Sequence, residues 1–164
     1  MPTVLTHRLE NQPPLPAQNS LSLTADERTR SRHRFTAAGL DLQLQLPRGT
    51  VLRHGDILSS ANGQYFVRVV AEPEPVLVVT GSALDLMRAA YHLGNRHVPV
   101  EVSEPCLRLA PDPVLRSLLL SLGLTVTDAV APFHPESGAY GHGGHTHEAT
   151  PTGTERHDIE PRHD

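Results

Sequence analysis

The clearest pattern in this chain is an alternation in which Asp41, Gln43 and Gln45 separate Leu40, Leu42, Leu44 and Leu46. A period of two puts every leucine on one face, so the segment is predicted to be a half-buried strand. Pro47-Arg48-Gly49 then makes a turn, and His54-Gly55-Asp56 makes another between Val51-Leu52 and Ile57-Leu58. Asn62-Gly63 is a strong hairpin signal leading into the strand Tyr65–Val70. Short strands with frequent turns predict a small antiparallel β domain over residues 1–74. Ala71-Glu72-Pro73-Glu74-Pro75 is expected to be a short stiff linker, because proline cannot continue a central strand.

Beyond it the period lengthens. Val76–Val79 reads as a continuous apolar strand, and Ser82 with Asp85 opens a helix. Its expected apolar face is Leu84, Met87, Ala90 and Tyr91, and Gly94 is expected to end it. Val98–Val102 and Cys106–Leu109 read as strands. Asp112 is an N-cap followed by Pro113, and it opens a helix carrying Val114, Leu115, Leu118, Leu119 and Leu122 on one face, with Gly123 as its stop. Thr125–Val130 is the last strand. The order βαββαβ over residues 75–136 is ferredoxin-like, with two helices on one face of a four-stranded antiparallel sheet and the other face open to a partner. The fold class is therefore α+β: a small antiparallel β domain, a ferredoxin-like domain and a tail. Residues 137–164 are Gly, His, Thr, Glu and Pro with almost no large apolar side chain, a composition predicted to be disordered.

Charge sharpens this division. Residues 134–164 hold Arg156 and Arg162 against Glu136, Glu148, Glu155, Asp158, Glu160 and Asp164, so this stretch carries the formal net charge of -4. It also holds six of the eleven histidines. No apolar run approaches the ~18–20 residues that span a bilayer, and MPTVLTHRLE lacks the charged-then-apolar pattern of a signal peptide. A single cysteine, Cys106, excludes an intramolecular disulfide and reads as a small buried hydrophobe. A cytoplasmic protein with no membrane partner is expected.

The candidate chemistry is metal binding. His142, His145 and His147 form H-x2-H-x-H among glycines, and imidazole suits Ni, Cu and Zn. The alternative is a solvated low-complexity tail with incidental histidines. His97 lies in a turn between a helix end and a strand, and spacing alone does not mark it as a ligand. One imidazole cannot hold an ion by itself, but two copies near a twofold axis would supply a pair. Arg28, Arg30, Arg32 and Arg34 recur at every second position and, if extended, would line one face. Nucleic-acid binding is one reading of that row. A neutral body, a pI near 6.2 and no interleaved aromatics favour a solvated edge or protein-contact face instead. No phosphate loop, nucleophile elbow, H-E-x-x-H or C-x-x-C is present, so no enzyme is expected.

Several segments together resemble the UreE family, urease accessory proteins that act as nickel metallochaperones. They are Leu23–Phe35, Leu46–Leu52, His92-Leu93-Gly94-Asn95-Arg96-His97 with Pro99, Leu122-Gly123-Leu124 and Pro132–Tyr140, in an order that covers roughly residues 20–147. The resemblance implies that the N-terminal domain is similar to peptide-binding domains of other chaperones. It also implies a homodimer in which His97 of each subunit holds one nickel ion, and a tail whose His142, His145 and His147 bind further ions. Delivery would be to the apo-urease complex together with the urease accessory GTPase. One departure is that Ala110-Pro111-Asp112-Pro113 lacks the second histidine pair that some relatives carry, so an auxiliary site there is not expected. The rival function is a general Ni, Zn or Cu buffer or sensor without a urease client.

Overall fold

The computed structural model describes residues 2–9, 19–37 and 39–137. All of the predicted tail beyond Ser137, including His142, His145 and His147, therefore lies outside the described residues.

The strands are β1 (Thr3–Leu9), β2 (Asn19–Leu23), β3 (Arg32–Ala37), β4 (Leu40–Gln45), β5 (Ile57–Ser60), β6 (Phe66–Ala71), β7 (Pro73–Thr80), β8 (Val100–Ser103), β9 (Cys106–Leu109) and β10 (Thr125–Pro132). The helices are α1 (Ala25–Arg28), α2 (Ala83–Gly94) and α3 (Pro113–Ser121). No helix among the described residues is long and apolar enough to cross a membrane.

The first six strands form one sheet in the order β2-β6-β5-β1-β4-β3. The leucine alternation sets its register. Leu42, Leu44 and Leu46 are each 1% exposed and pack with Leu5, Leu58 and Val67, while Asp41 and Gln45 face outward. Each such leucine contributes roughly 2 kcal/mol by leaving water. The sheet is mainly antiparallel, yet β1 runs parallel to β4 and β2 runs parallel to β6. Hairpin signals along the chain mark only the antiparallel neighbours, so these two long-range pairings left no local trace.

The second sheet has the order β10-β7-β9-β8, every pair antiparallel, with α2 and α3 on one face. This is the ferredoxin-like arrangement that the order of elements predicts. Asp112 caps α3 by accepting the Leu115 amide at 2.9 Å, with Pro113 in the first turn. Gly123 ends it at φ 81°.

Four local expectations are corrected. Pro73 and Pro75 do not sit in a linker: β6 ends at Ala71 and β7 begins at Pro73. They are tolerated because β9 pairs with β7 only from Leu77 onward, leaving residues 73–76 with the single neighbour β10. The arginine row is broken as well. Thr24 and Glu27 form a reciprocal capping box that starts α1, so Arg28 sits on a helix and is 5% exposed, and only Arg32 and Arg34 share a strand face. On α2 the buried stripe is Leu86, Ala89, Ala90 and Leu93, whereas Leu84, Met87 and Tyr91 are 53%, 62% and 66% exposed.

The fourth correction concerns the sheet face away from the helices, which is not left bare. The chain after β10 returns across it towards β8. The Arg28 guanidinium donates to the Phe133 carbonyl, the His134 amide donates to Glu101 Oε2 at 2.8 Å, and the Glu136 amide donates to the Val100 carbonyl at 2.8 Å.

Candidate metal site

The sequence around His97 folds into the turn that closes α2. The Val98 amide donates to the Leu93 carbonyl at 3.1 Å, and the His97 amide donates to the Gly94 carbonyl at 2.9 Å. That pair of bonds is the Schellman closure, in which the residue after the cap adopts the left-handed conformation. His97 is that residue, with φ 55°, and no other described non-glycine residue has positive φ. Val98 supplies the accompanying apolar contact by packing against the core that contains Leu93.

The chain contains its own control for this turn. At the end of α3 the Leu124 amide donates to the Leu119 carbonyl at 3.2 Å and the Gly123 amide to the Leu120 carbonyl at 3.0 Å. The two closures are the same, but the left-handed position is glycine in one and histidine in the other. An L-residue there costs about 1–2 kcal/mol, although histidine tolerates the region better than most. The imidazole is thus held on a rigid turn, exposed to solvent, at a backbone cost that glycine would avoid.

This strain gives a test that needs no metal. By denaturant unfolding in chelator, His97→Gly should be more stable than His97→Ala by about 1 kcal/mol, the reverse of their order inside a helix. Equal or greater stability of the alanine variant would mean that the turn does not hold the left-handed conformation.

The surroundings of His97 are polar on one side and apolar on the other. The Arg96 guanidinium donates to the His92 carbonyl at 2.9 Å, and the Tyr91 and His92 rings meet edge to face at 5.4 Å. On the preceding turns, Leu84, Met87 and Tyr91 follow the i, i+3, i+7 spacing of one exposed helix stripe. The sequence carried a signal for this stripe, because α2 has more apolar residues than one core-facing face can use.

Among the described residues no group of three or more His, Cys, Asp or Glu side chains is gathered that could hold a metal ion. His97 therefore belongs to no such group among the described residues, and His142, His145 and His147 lie outside them. A histidine pair that sequence reading missed is His54 with His134, whose ring centroids are 6.4 Å apart. His54 Nδ1 accepts the Ala71 amide at 3.1 Å, so the neutral ring keeps its proton on Nε2 and offers no free lone pair to an ion. Arg28 was also missed as a structural group. Burial pulls its pKa below the ordinary value, opposed by the nearby Glu74 carboxylate, which itself accepts the Ala25 amide at 3.1 Å.

Comparison with known proteins identifies the chain's relatives. A family model described as "UreE urease accessory protein, N-terminal domain" matches residues 5–72, and its C-terminal counterpart matches residues 74–164. A urease accessory protein UreE of Nostoc sp. is 53% identical over 140 residues, covering 84% of this chain and 95% of that protein. Its namesake in Microcystis aeruginosa is 49% identical over 138 residues, covering 83% and 87%. The UreE of Burkholderia pseudomallei strain 1710b is 56% identical over 130 residues, 78% of this chain but 63% of that longer protein. The chain belongs to the UreE family of urease accessory proteins.

Proposed function

We propose that this chain is a cytoplasmic, homodimeric nickel metallochaperone that delivers nickel for assembly of the urease active site. The observation that carries the reading is His97. Its imidazole is presented at a strained helix end, on the same helix as an exposed apolar stripe suited to a second copy of the chain. Two such imidazoles across a twofold axis form a two-coordinate, exposed site, open to further ligands and to transfer. Nickel accepts several N/O donors, so His142, His145 and His147 or water would fill the remaining positions.

The path of residues 133–136 supports a role for the tail. Glu136 is bonded to Val100, three residues from His97. The six residues from there to His142 span at most ~20 Å, which keeps the tail histidines within reach of His97. In this reading residues 1–74 are the peptide-binding-like unit, residues 75–136 the metal-binding unit and residues 137–164 the collecting tail. The partners are the urease apoprotein complex and the urease accessory GTPase. Imidazole ligands bind copper at least as tightly as nickel and also accept zinc, so selectivity comes from metal supply and client.

A reconstitution assay separates delivery from buffering. Nickel-loaded protein, mixed with apo-urease and the accessory GTPase, should activate urease even when a chelator intercepts free nickel. If a small-molecule nickel complex of equal affinity activated urease equally well, the chain would be a buffer without a dedicated client.

A further inference from the structure

The matching turns that close α2 and α3 differ at a second position. In α3 the residue before Gly123 is Leu122, whose amide donates to the Leu118 carbonyl at 3.1 Å. In α2 the equivalent residue, just before His97, is Arg96. Its amide donates to the Leu93 carbonyl at 3.1 Å, and its guanidinium donates to the His92 carbonyl at 2.9 Å. A charged side chain thus takes the helix-end acceptor that a main-chain amide takes in α3. Closing the turn does not call for arginine, since α3 closes in the same way with leucine.

What arginine adds is charge at a fixed place. A helix C-terminus carries about half a negative charge, which favours cations within its last turn. On α2 a guanidinium already occupies that place, fastened to the helix end beside His97. It keeps its proton at any working pH and has no lone pair to offer a metal. Among the described residues Arg96 forms no ion pair, so no described carboxylate offsets its charge. A positive group held next to an exposed imidazole opposes the binding of a cation there.

We propose that Arg96 sets the strength of the nickel site: fastened to the end of α2, its charge keeps binding at His97 weak enough for transfer. The inference rests on the reading that His97 is a ligand of the transferred ion. Arg96 donates no ligand and acts through space, once from each copy of the chain. Removing a unit positive charge within roughly 10 Å of an exposed divalent ion strengthens binding several-fold at low salt, and the gain fades as salt screens it. A carrier gains from this arrangement because the charge that weakens binding also speeds release.

The test is calorimetric nickel titration of the full chain at ~0.01 M and ~1 M salt, between which the screening length falls from about 30 Å to about 3 Å. Arg96→Gln, Arg96→Lys, His97→Ala and the double variant Arg96→Gln with His97→Ala are compared at matched dimer content, with unfolding temperature recorded. At low salt Arg96→Gln should tighten the strongest site about fivefold and slow release to a chelator by a similar factor. At high salt the difference should vanish. Arg96→Lys keeps the charge and should behave as the unaltered chain. In the His97→Ala background, Arg96→Gln should leave the remaining weaker binding as it is. Weakening by both Gln and Lys at either salt would mean that Arg96 only braces the turn, which overturns the proposal. So would an unchanged affinity in Arg96→Gln, or a gain that persists at high salt or without His97. If His97→Ala itself left the strongest site intact, the ion would lie elsewhere, and the proposal would fall with that reading.

Discussion

In the proposed dimer, replacing Met87 and Tyr91 together by glutamate is expected to leave a monomer and to abolish the proposed shared nickel site in the same step. The two side chains are 62% and 66% exposed on a single chain, so neither supports the core of its own protomer. Their stripe, with Leu84, lies opposite the residues that pack on the sheet, Leu86, Ala89, Ala90 and Leu93. At a twofold contact the substitution would place four carboxylates in a small apolar interface. Burying unpaired charge costs several kcal/mol, so the dimer should weaken more than 100-fold. Far-UV spectra and the unfolding midpoint of the monomer should change little. Sedimentation analysis at matched concentration checks the first part and nickel titration the second. A variant that remained dimeric would remove this stripe from the interface.

The second large effect belongs to His97 itself. In a dimer, His97→Ala removes both members of the pair at once, so the affinity for the tightest ion should fall at least 100-fold. Weaker ions held by His142, His145 and His147 should remain. Alanine retains the amide that donates to Gly94, so the hydrogen bond that closes the turn stays available. Loss of nickel binding with a preserved dimer would thus report ligation and not folding. Retention of the tightest site in the variant would place the ion elsewhere.

The fold was legible where one local signal decided the outcome. The Leu40–Leu46 alternation gave β4, and Asp112 with Pro113 and Gly123 bounded α3. The order of elements after residue 75 was enough to give the ferredoxin-like sheet. Sequence reading failed where two signals competed. In α2 an apolar stripe was visible, but helical period alone does not say which of two stripes meets the sheet. The arginine row fitted a strand period, and the capping pair Thr24 and Glu27 outweighed it by closing a helical turn. Pro73 and Pro75 signalled a break, yet a strand with one neighbour has room for them.

The candidate site was less legible still. Nothing in the spacing of His92-Leu93-Gly94-Asn95-Arg96-His97 distinguishes a ligand from an ordinary histidine, and the family resemblance alone singled it out. The physical sign is a backbone angle, since His97 occupies the position that Gly123 fills in the matching turn. A dihedral is invisible in a sequence without the hydrogen bonds that impose it. The clasp at Glu101 was hidden for a similar reason. Its partner is a main-chain amide 33 residues away, and main-chain partners carry no residue-type signature.

The central claim is that one nickel ion is shared by two copies of His97. Nickel titration of the chain truncated after Tyr140, with mass measured at each step, tests it without the tail histidines. One tightly bound ion per two chains is expected, absent from His97→Ala. One ion per chain, or an unchanged tight site in His97→Ala, would contradict it.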